Sequence, residues 1–214
     1  GYGAARLLDR IDWQDLAKRR VCVVGFSDLT AILNPLGGSG VPQIHGPMVA
    51  AGLSSRRNAE RLHSILVGDL EGESLFRIPE GGVVRPGRVR GRALGGNLSV
   101  LDTLIGTPWE PEFDGSALFL EEVNEPLYRL DRMLTHLRSS GRLRNVKALI
   151  GGSLRACRPA SGRPDLWRHL LSEAAPPTAP VIVDLPFGHG AVNLAFPIGA
   201  TVEIDTYARQ INWK

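Results

Sequence analysis

Apolar positions follow two periodicities along the chain, and together they predict helices and short buried strands in alternation. Apolar residues recur at helical spacing in the stretches 4–17, 27–36, 56–69, 95–106, 126–141 and 164–175. Short apolar runs that predict strands are "VCVVGF", "SALFLEEV", "VKALIGGS" and "PVIVDL". Because strands and helices follow one another in turn, the pattern predicts an α/β fold with buried parallel strands.

Gly, Pro and Arg become frequent between residues 71 and 92, which predicts turns, short strands and a change of domain. We therefore expect an N-terminal domain over residues 1–72 and a C-terminal domain over residues 73–214. Near the end of the chain, residues 193–205 predict a closing β-hairpin.

Composition and charge exclude several classes of protein. With 214 residues, 43% of them hydrophobic, the chain can bury a core without disulfides or metals. The net charge is only +3, and the densest basic run, residues 85–92, predicts an exposed turn rather than a nucleic-acid surface. No stretch reaches the roughly 18 apolar residues of a membrane helix. Cys22 is expected to be buried. It is far from Cys157 in the sequence, so the two cysteines do not indicate a disulfide framework, and both fit a reducing compartment.

Ser27 lies in "VVGFSDLT", on the sharp turn that joins a predicted strand to a predicted helix. This position exposes a serine hydroxyl before a helix N-terminus, as in the nucleophile elbow of α/β hydrolases. The second glycine of that motif is absent, since Leu29 stands in its place. From the residues alone, Ser27 is a candidate nucleophile, with a helix N-cap as the structural alternative.

A histidine and a carboxylate complete the candidate chemistry. His189 lies between two glycines after a predicted strand, where functional loops of α/β proteins gather. Glu121 is the first carboxylate after the strand "SALFL", and Glu122 and Glu125 compete with it for orienting a histidine. His45, in a Gly/Pro turn, is a further candidate for the neighbourhood of the site. Neither His nor Cys pairs occur at metal-ligand spacing, so we expect no metal and no cofactor.

Six strings resemble, in order, the LD-carboxypeptidase family of serine peptidases, which includes the microcin-immunity peptidases. They are "GYGAARLLDRIDW", "VGFSDLTAIL", "IHGPM", "GGNLSVLDTLIGTPWEP", "LFLEEVNEPLYRLDRMLTHL" and "PFGHGAVNLAFPIGA". The resemblance covers nearly the whole chain. It implies a partial Rossmann-like N-terminal domain followed by a smaller mixed α/β C-terminal domain. The family's further strand–helix portion, ahead of the first string, is absent from this sequence, and we expect it to exist in the protein.

The resemblance also assigns roles to individual residues. Ser27 stands at the place of the nucleophile, Glu121 at that of the glutamate directly after the strand, and His189 at that of the histidine. The backbone N–H of Asp28 and the segment Gly1–Gly3 stand at the place of the oxyanion hole.

The implied reaction is hydrolysis of the amide bond between an L-configured centre, diaminopimelate or lysine, and the terminal D-alanine of muropeptides. The implied setting is peptidoglycan recycling by a cytoplasmic homodimer, with a muropeptide substrate and without nucleic-acid or membrane partners. Two alternatives stay open. One is a microcin-immunity-like amidase acting on peptidyl or aminoacyl nucleotides, with Trp109 and Trp167 as stacking candidates. The other is a catalytically silent domain that binds cell-wall peptides.

A carboxypeptidase must distinguish a chain end from a chain middle, and the two differ by one negative charge. We therefore expect a positive group or convergent backbone N–H groups at the site. The candidates are Arg92 and the turn of Gly95, Gly96 and Asn97, which opens a predicted helix with Asn97 as its N-cap. Alternatively, the glycines only permit tight packing and Arg92 is solvated.

Overall fold

The computed structural model describes residues 2–70, 73–157 and 165–214. Two 3-10 helices, Ala4–Arg10 and Ser27–Leu29, precede the first two α-helices. The α-helices of the described residues are α1 (Trp13–Lys18), α2 (Thr30–Gly37), α3 (Arg56–Leu66), α4 (Leu98–Asp102), α5 (Leu127–Ser139) and α6 (Leu166–Ala174). The strands are β1 (Val24–Gly25), β2 (Gln43–His45), β3 (Ser74–Arg77), β4 (Val83–Arg85), β5 (Arg88–Asn97), β6 (Ser116–Val123), β7 (Ala148–Arg155), β8 (Val181–Ile182), β9 (Phe196–Ile198), β10 (Thr201–Asp205) and β11 (Gln210–Trp213). Every helix in this part of the chain is too short or too polar to cross a membrane.

The described strands form one large sheet and one small sheet. The large sheet has the order β3-β11-β10-β5-β6-β7-β8-β4, and its central strands β5 to β8 run parallel. The small sheet has the order β1-β2-β9, in which β1 and β2 run parallel. A parallel centre with helices in the connections is the α/β architecture that the apolar pattern predicts, so the predicted fold class is confirmed.

The end of the chain corrects one prediction. Residues 193–205 do not form a hairpin, because β9 pairs with β2 in the small sheet whereas β10 pairs with β5 and β11 in the large one. Gly199 marks the crossing between the sheets, with a φ of 89°. A β-carbon at Gly199 would lie 2.3 Å from the carbonyl oxygen of Gly37, so glycine is required by this close approach.

Helix α2 is fixed onto the end of β5 by hydrogen bonds between residues far apart in sequence. Asn34 Oδ1 accepts from the Gly95 N–H at 2.8 Å, and Asn34 Nδ2 donates to the Gly95 carbonyl at 2.9 Å. Thr30 Oγ1 accepts from the Asn97 N–H at 3.0 Å. A β-carbon on Gly96 would lie 2.6 Å from Thr30 Oγ1, so the absent side chain lets the helix approach. These contacts join the serine-bearing segment to the centre of the large sheet.

The hydrophobic core includes residues from both sides of the predicted domain boundary. One buried cluster contains Leu8 and Leu36 together with Leu118, and a second contains Ile44 together with Phe119. Residues 71 and 72, where the boundary is predicted, lie outside the described residues. The division at residue 72 therefore stays a prediction.

Cys22 corrects a second expectation, because its side chain is exposed rather than buried. It precedes β1, which is the edge strand of the small sheet, so no neighbouring strand covers it within the described residues. Cys22 and Cys157 are both free thiols.

The basic run of residues 85–92 is part of the large sheet and spans the end of β4, a turn and the start of β5. Arg85 is partly buried, and its guanidinium donates to the carbonyls of Ser172, Pro176 and Ala179 at 2.8, 2.7 and 3.1 Å. These carbonyls lie at and after the C-terminal end of α6, where a helix leaves acceptors unpaired. Arg85 therefore has a structural task that a basic composition alone does not indicate.

Replacing Arg85 by alanine is expected to lower the free energy of unfolding by about 2–3 kcal/mol, because partly buried carbonyls lose a charged donor. Urea unfolding measures the difference. Arg88→Ala is the matched control: Arg88 is 69% exposed and pairs with Asp205 at the surface, so its loss should leave the midpoint nearly unchanged. Equal effects of the two substitutions would contradict the structural task of Arg85.

Candidate active site

Ser27 begins the short 3-10 helix that joins β1 to α2, so it lies at the carboxyl end of a strand and the amino end of a helix. Its φ of 60° is in the left-handed region, which costs a non-glycine residue about 1–3 kcal/mol. A β-carbon on Gly25 would crowd Leu29, at 2.2 Å from its Cδ1. Ser27 is not an N-cap, because Phe26 and Leu29 occupy the cap positions of the two helices. The strained turn has the geometry of a nucleophile elbow.

His189 and Glu121 form a short hydrogen-bonded pair. Glu121 is fully buried on β6, and the His189 side chain is 15% exposed. Glu121 Oε2 lies 2.6 Å from His189 Nδ1 and accepts from the His189 backbone N–H at 3.2 Å. Since an ionised carboxylate only accepts hydrogen bonds, we assign the ring proton to Nδ1, which leaves Nε2 as the basic nitrogen. One carboxylate oxygen thus fixes both the tautomer and the orientation of the ring.

Glu122 is also buried, but it contacts helix α4 rather than the histidine. Its Oε1 accepts from Asn97 Nδ2 at 2.8 Å, and its Oε2 accepts from the Ser99 N–H at 2.8 Å. Ser99 lies in the first turn of α4, where unpaired N–H groups favour a carboxylate. The structure therefore gives the two adjacent glutamates different partners.

An irregularity in β6 accompanies the burial of both glutamates. The pairing of β6 with β7 shifts its register between Leu120 and Glu122, which is the position of Glu121. Such bulges re-aim side chains and are frequent beside active sites. Glu125, the third carboxylate considered, lies beyond the strand and pairs with Arg129 at 3.1 Å. Of the three, Glu121 is the carboxylate that contacts the His189 ring.

The loop that carries His189 is held by side chains that the sequence analysis did not single out. Asn193 Oδ1 accepts from the Gly188 N–H at 2.9 Å, and Ser153 Oγ accepts from the Gly190 N–H at 3.1 Å. Asn193 follows in the same loop, and asparagine commonly bonds nearby backbone in turns, so this signal was present in the sequence. Ser153 comes from β7, and no local pattern connects it to the loop.

The Asp28 side chain ties the beginning of the chain to the serine turn. Asp28 Oδ2 accepts from the Ala4 N–H at 2.8 Å. Gly3, with a φ of 122°, is the N-cap of the first 3-10 helix. The backbones of Gly3 and Asp28, two candidates for the oxyanion hole, therefore belong to segments that are directly bonded. The third candidate, Gly1, lies outside the described residues.

Phe26 links the two halves of the site. Its ring meets the His189 ring edge-on, with centroids 4.9 Å apart. Because Phe26 directly precedes Ser27, this contact places the imidazole beside the serine turn. A serine, a histidine and a buried carboxylate that orients the histidine are the components of a nucleophilic acyl-transfer site.

His45 is fully buried next to the site, among aromatic rings. It stacks on Phe196 with centroids 4.8 Å apart, and it meets Phe26 and Phe187 edge-on. Neither ring nitrogen has a hydrogen-bond partner in the described part of the chain. Burial, with a smaller effect from the nearby His189, lowers the pKa of His45 to about 3. His45 therefore stays neutral and packs against the site rather than exchanging protons in it.

The residues expected to bind the substrate carboxylate have other tasks. Asn97 is buried, caps α4 with its side-chain oxygen as predicted, and donates to Glu122. Gly96 packs closely against Thr30 of α2, as described above. Arg92 lies five residues before Asn97 on β5, about 16 Å away at strand spacing, and its guanidinium donates to the Glu112 carbonyl. The glycines therefore fit the packing alternative, whereas Arg92 lies in the middle of β5, away from the turn of Gly96 and Asn97, and its part in carboxylate binding stays a prediction.

The two tryptophans considered for nucleotide stacking have different surroundings. Trp167 is buried on α6, and Trp109 lines a cavity of about 400 Å³ together with Arg92 and Trp13. Within the described ranges, no group of three or more His, Cys, Asp or Glu is placed to hold a metal ion.

Two family descriptions match the sequence. Residues 1–46 match the LD-carboxypeptidase N-terminal domain, and residues 90–204 match the LD-carboxypeptidase C-terminal domain. The two matches include the positions of the serine, the glutamate and the histidine described above.

Individual relatives agree with these matches. A murein tetrapeptide carboxypeptidase of Pseudomonas aeruginosa is 35% identical over 100% of this chain and 72% of its own length. The crystal structure of a muramoyltetrapeptide carboxypeptidase from Oxalobacter formigenes covers 100% of this chain and 75% of its own, with 29% identity and a TM-score of 0.83. The Escherichia coli microcin C7 self-immunity protein MccF covers 100% of this chain and 73% of its own, with a TM-score of 0.86; at 23% identity, this likeness concerns the fold alone. The chain spans about two thirds to three quarters of the length of these and other relatives.

Glu121→Gln is expected to slow the labelling of Ser27 by a fluorophosphonate probe by about 10²–10⁴-fold, because the amide no longer stabilises the imidazolium. Glu122→Gln is the matched variant. It should lower the free energy of unfolding by about 1–3 kcal/mol through its lost contacts with α4, and slow labelling less. Labelling rates and urea midpoints of the two proteins check this. The opposite pattern in folded proteins would reverse the roles of the two glutamates.

The pKa of His45 predicts a stability that falls on acidification. The unfolded chain takes up a proton near the ordinary histidine pKa of about 6.5, whereas folded His45 does so only near about 3. The free energy of unfolding should therefore fall by up to about 1.4 kcal/mol per pH unit as the pH drops between these values. His45→Phe and His45→Gln should both reduce this slope relative to the wild-type protein in urea titrations at several pH values. Parallel pH profiles would contradict the assignment.

Proposed function

The chain belongs to the LD-carboxypeptidase family of serine peptidases, and on this premise we propose that it is a muropeptide carboxypeptidase of peptidoglycan recycling. The bond it hydrolyses joins an L-configured centre, diaminopimelate or lysine, to a terminal D-alanine. The observation that carries this proposal is the 2.6 Å contact between His189 Nδ1 and Glu121 Oε2, next to the left-handed turn of Ser27.

In the proposed reaction, Ser27 Oγ attacks the carbonyl carbon of the scissile amide while His189 Nε2 accepts the hydroxyl proton. The buried Glu121 stabilises the imidazolium that forms. The C–N bond then breaks as His189 passes the proton to the leaving nitrogen, which releases D-alanine and leaves an ester on Ser27. Water attacks this ester with His189 as the base, and the serine is restored.

Negative charge develops on the carbonyl oxygen during each attack. The backbone N–H groups of Asp28 and Gly3 are the proposed donors to it, and each such donor contributes roughly 10²–10³ in rate. The Asp28 carboxylate supports this arrangement, because its bond to the Ala4 N–H keeps the two donor segments together. In this proposal the Asp28 backbone N–H donates to the substrate, and the Asp28 carboxylate holds the oxyanion hole in its geometry.

A microcin-immunity-like amidase is the second candidate, because the fold is also that of MccF. The same three side chains would then act on a peptidyl or aminoacyl nucleotide. Trp167 is buried, which removes one of the two residues considered for stacking on a base, whereas Trp109 lines a cavity and stays a candidate. A catalytically silent binding domain would not need the strained serine conformation or the oriented histidine.

Ser27→Ala is expected to lower turnover of a murein tetrapeptide by about 10⁶-fold while the fold is kept, since the substitution removes only a hydroxyl group. Mass spectrometry of the tetrapeptide incubated with the full-length protein measures the loss of D-alanine. The control is Ser54→Ala, at an exposed serine outside the site, which should retain full activity.

Near wild-type hydrolysis by the Ser27→Ala protein would refute the nucleophile. An aminoacyl sulfamoyl nucleotide in a parallel reaction separates the two candidate functions. Cleavage of that compound without cleavage of the tetrapeptide would select the amidase.

A further inference from the structure

A groove lies next to the serine turn, between the first 3-10 helix on one side and helices α4 and α5 on the other. Its volume is about 660 Å³, and its wall includes Gly3 and Asp28, the two segments proposed to form the oxyanion hole. The opposite wall is a face of α5 that presents Arg129, Arg132 and His136. We call this space the arginine groove.

The length of the arginine groove fits a short peptide. Residues 129, 132, 133 and 136 line it at the spacing i, i+3, i+4 and i+7, which is one face of a helix. Seven residues of α-helix span about 10 Å. An extended peptide rises about 3.3 Å per residue, so the groove matches about three residues. A tetrapeptide that loses its last residue has three residues on the acyl side of the cleaved bond.

The carboxylates of the arginine groove are all engaged within the protein. Glu125 pairs with Arg129 at 3.1 Å, and Asp102 pairs with His136 at 2.8 Å. The Asp28 carboxylate accepts from a backbone N–H at 2.8 Å. These three carboxylates are therefore bonded to groups of the protein, and they do not neutralise the remaining arginines of the groove.

Two guanidinium groups remain available to a ligand. Arg6 lies over the ring of Tyr2 at 5.2 Å, and Arg132 lies over the ring of Tyr128 at 5.5 Å. Both arginines are exposed, and neither forms an ion pair within the described residues. Stacking on a ring holds the flat guanidinium while its edge keeps N–H donors that match a carboxylate.

We propose that the arginine groove binds the acyl-side peptide of the substrate and that Arg6 and Arg132 recognise its carboxylates through charge-assisted hydrogen bonds. The inference rests on the proposed function, because it takes a muropeptide as the occupant. It assigns anion recognition to residues beside the serine turn, whereas Arg92 lies in the middle of β5, five residues before Asn97.

The test uses two tetrapeptides with the same scissile bond, one with free carboxylates and one in which the acyl-side carboxylates are amidated. The full-length protein and its Arg6→Ala/Arg132→Ala double variant are assayed on both. On the free-carboxylate peptide, the double variant should raise KM about tenfold with kcat within about twofold. On the amidated peptide, the two proteins should behave alike. Arg138→Ala is the matched control, since Arg138 lies on α5, is not part of the groove, and donates to the Glu173 carbonyl.

Calorimetric binding to proteins that also carry Ser27→Ala separates the arginine groove from catalysis. The groove is supported if the double arginine variant binds the free-carboxylate peptide about tenfold more weakly and binds the amidated peptide as before. This conclusion holds even if the wild-type protein cleaves neither peptide, in which case only the proposed function fails. Equal losses for both peptides, or a loss no larger than that of Arg138→Ala, overturn the groove. If the groove proposal fails but the wild-type protein hydrolyses both peptides, the proposed function still holds.

Discussion

The candidate site depends on the docking of α2 against the end of β5. The bonds between Asn34 and Gly95 are buried on both sides, so removal of one partner would leave a group unsatisfied at a cost of about 1–3 kcal/mol. Gly96 allows the approach because no β-carbon stands between strand and helix. The same strand pairs in register with β6, where Asn97 stands opposite Glu121. One interface therefore fixes the serine turn relative to the carboxylate, although the two lie in distant parts of the sequence.

At this end of the sheet, adjacent residues have different structural tasks. The shift of register in β6 allows Glu121 to reach the loop of His189 while Glu122 binds the first turn of α4. The helix that Glu122 stabilises begins directly after Asn97, which is itself bonded to α2. The contacts of Glu122, Asn97 and Thr30 thus form one hydrogen-bonded network that joins β6, α4 and α2.

The surroundings of His45 and His189 are aromatic and mostly buried. Phe26 lies between the two imidazoles, and Phe196 and Phe187 close the other side of His45. In such a medium the interaction between His189 and its carboxylate is stronger than in water. The same surroundings keep His45 uncharged next to His189. Exposed charge is found instead in the arginine groove, on the side open to solvent.

The sequence by itself determined the alternation of strands and helices, the turn that carries Ser27, the N-cap at Asn97 and the residue types able to do the chemistry. These features depend on local periodicity and on side-chain chemistry, which neighbouring residues reveal. The tertiary structure alone decided that residues 193–205 divide between two sheets, because an alternating strand fits either partner equally well. It also decided that Arg92 lies in the middle of β5 and that Ser153 supports the histidine loop, because strand order and register bring residues together without leaving a local pattern in the sequence.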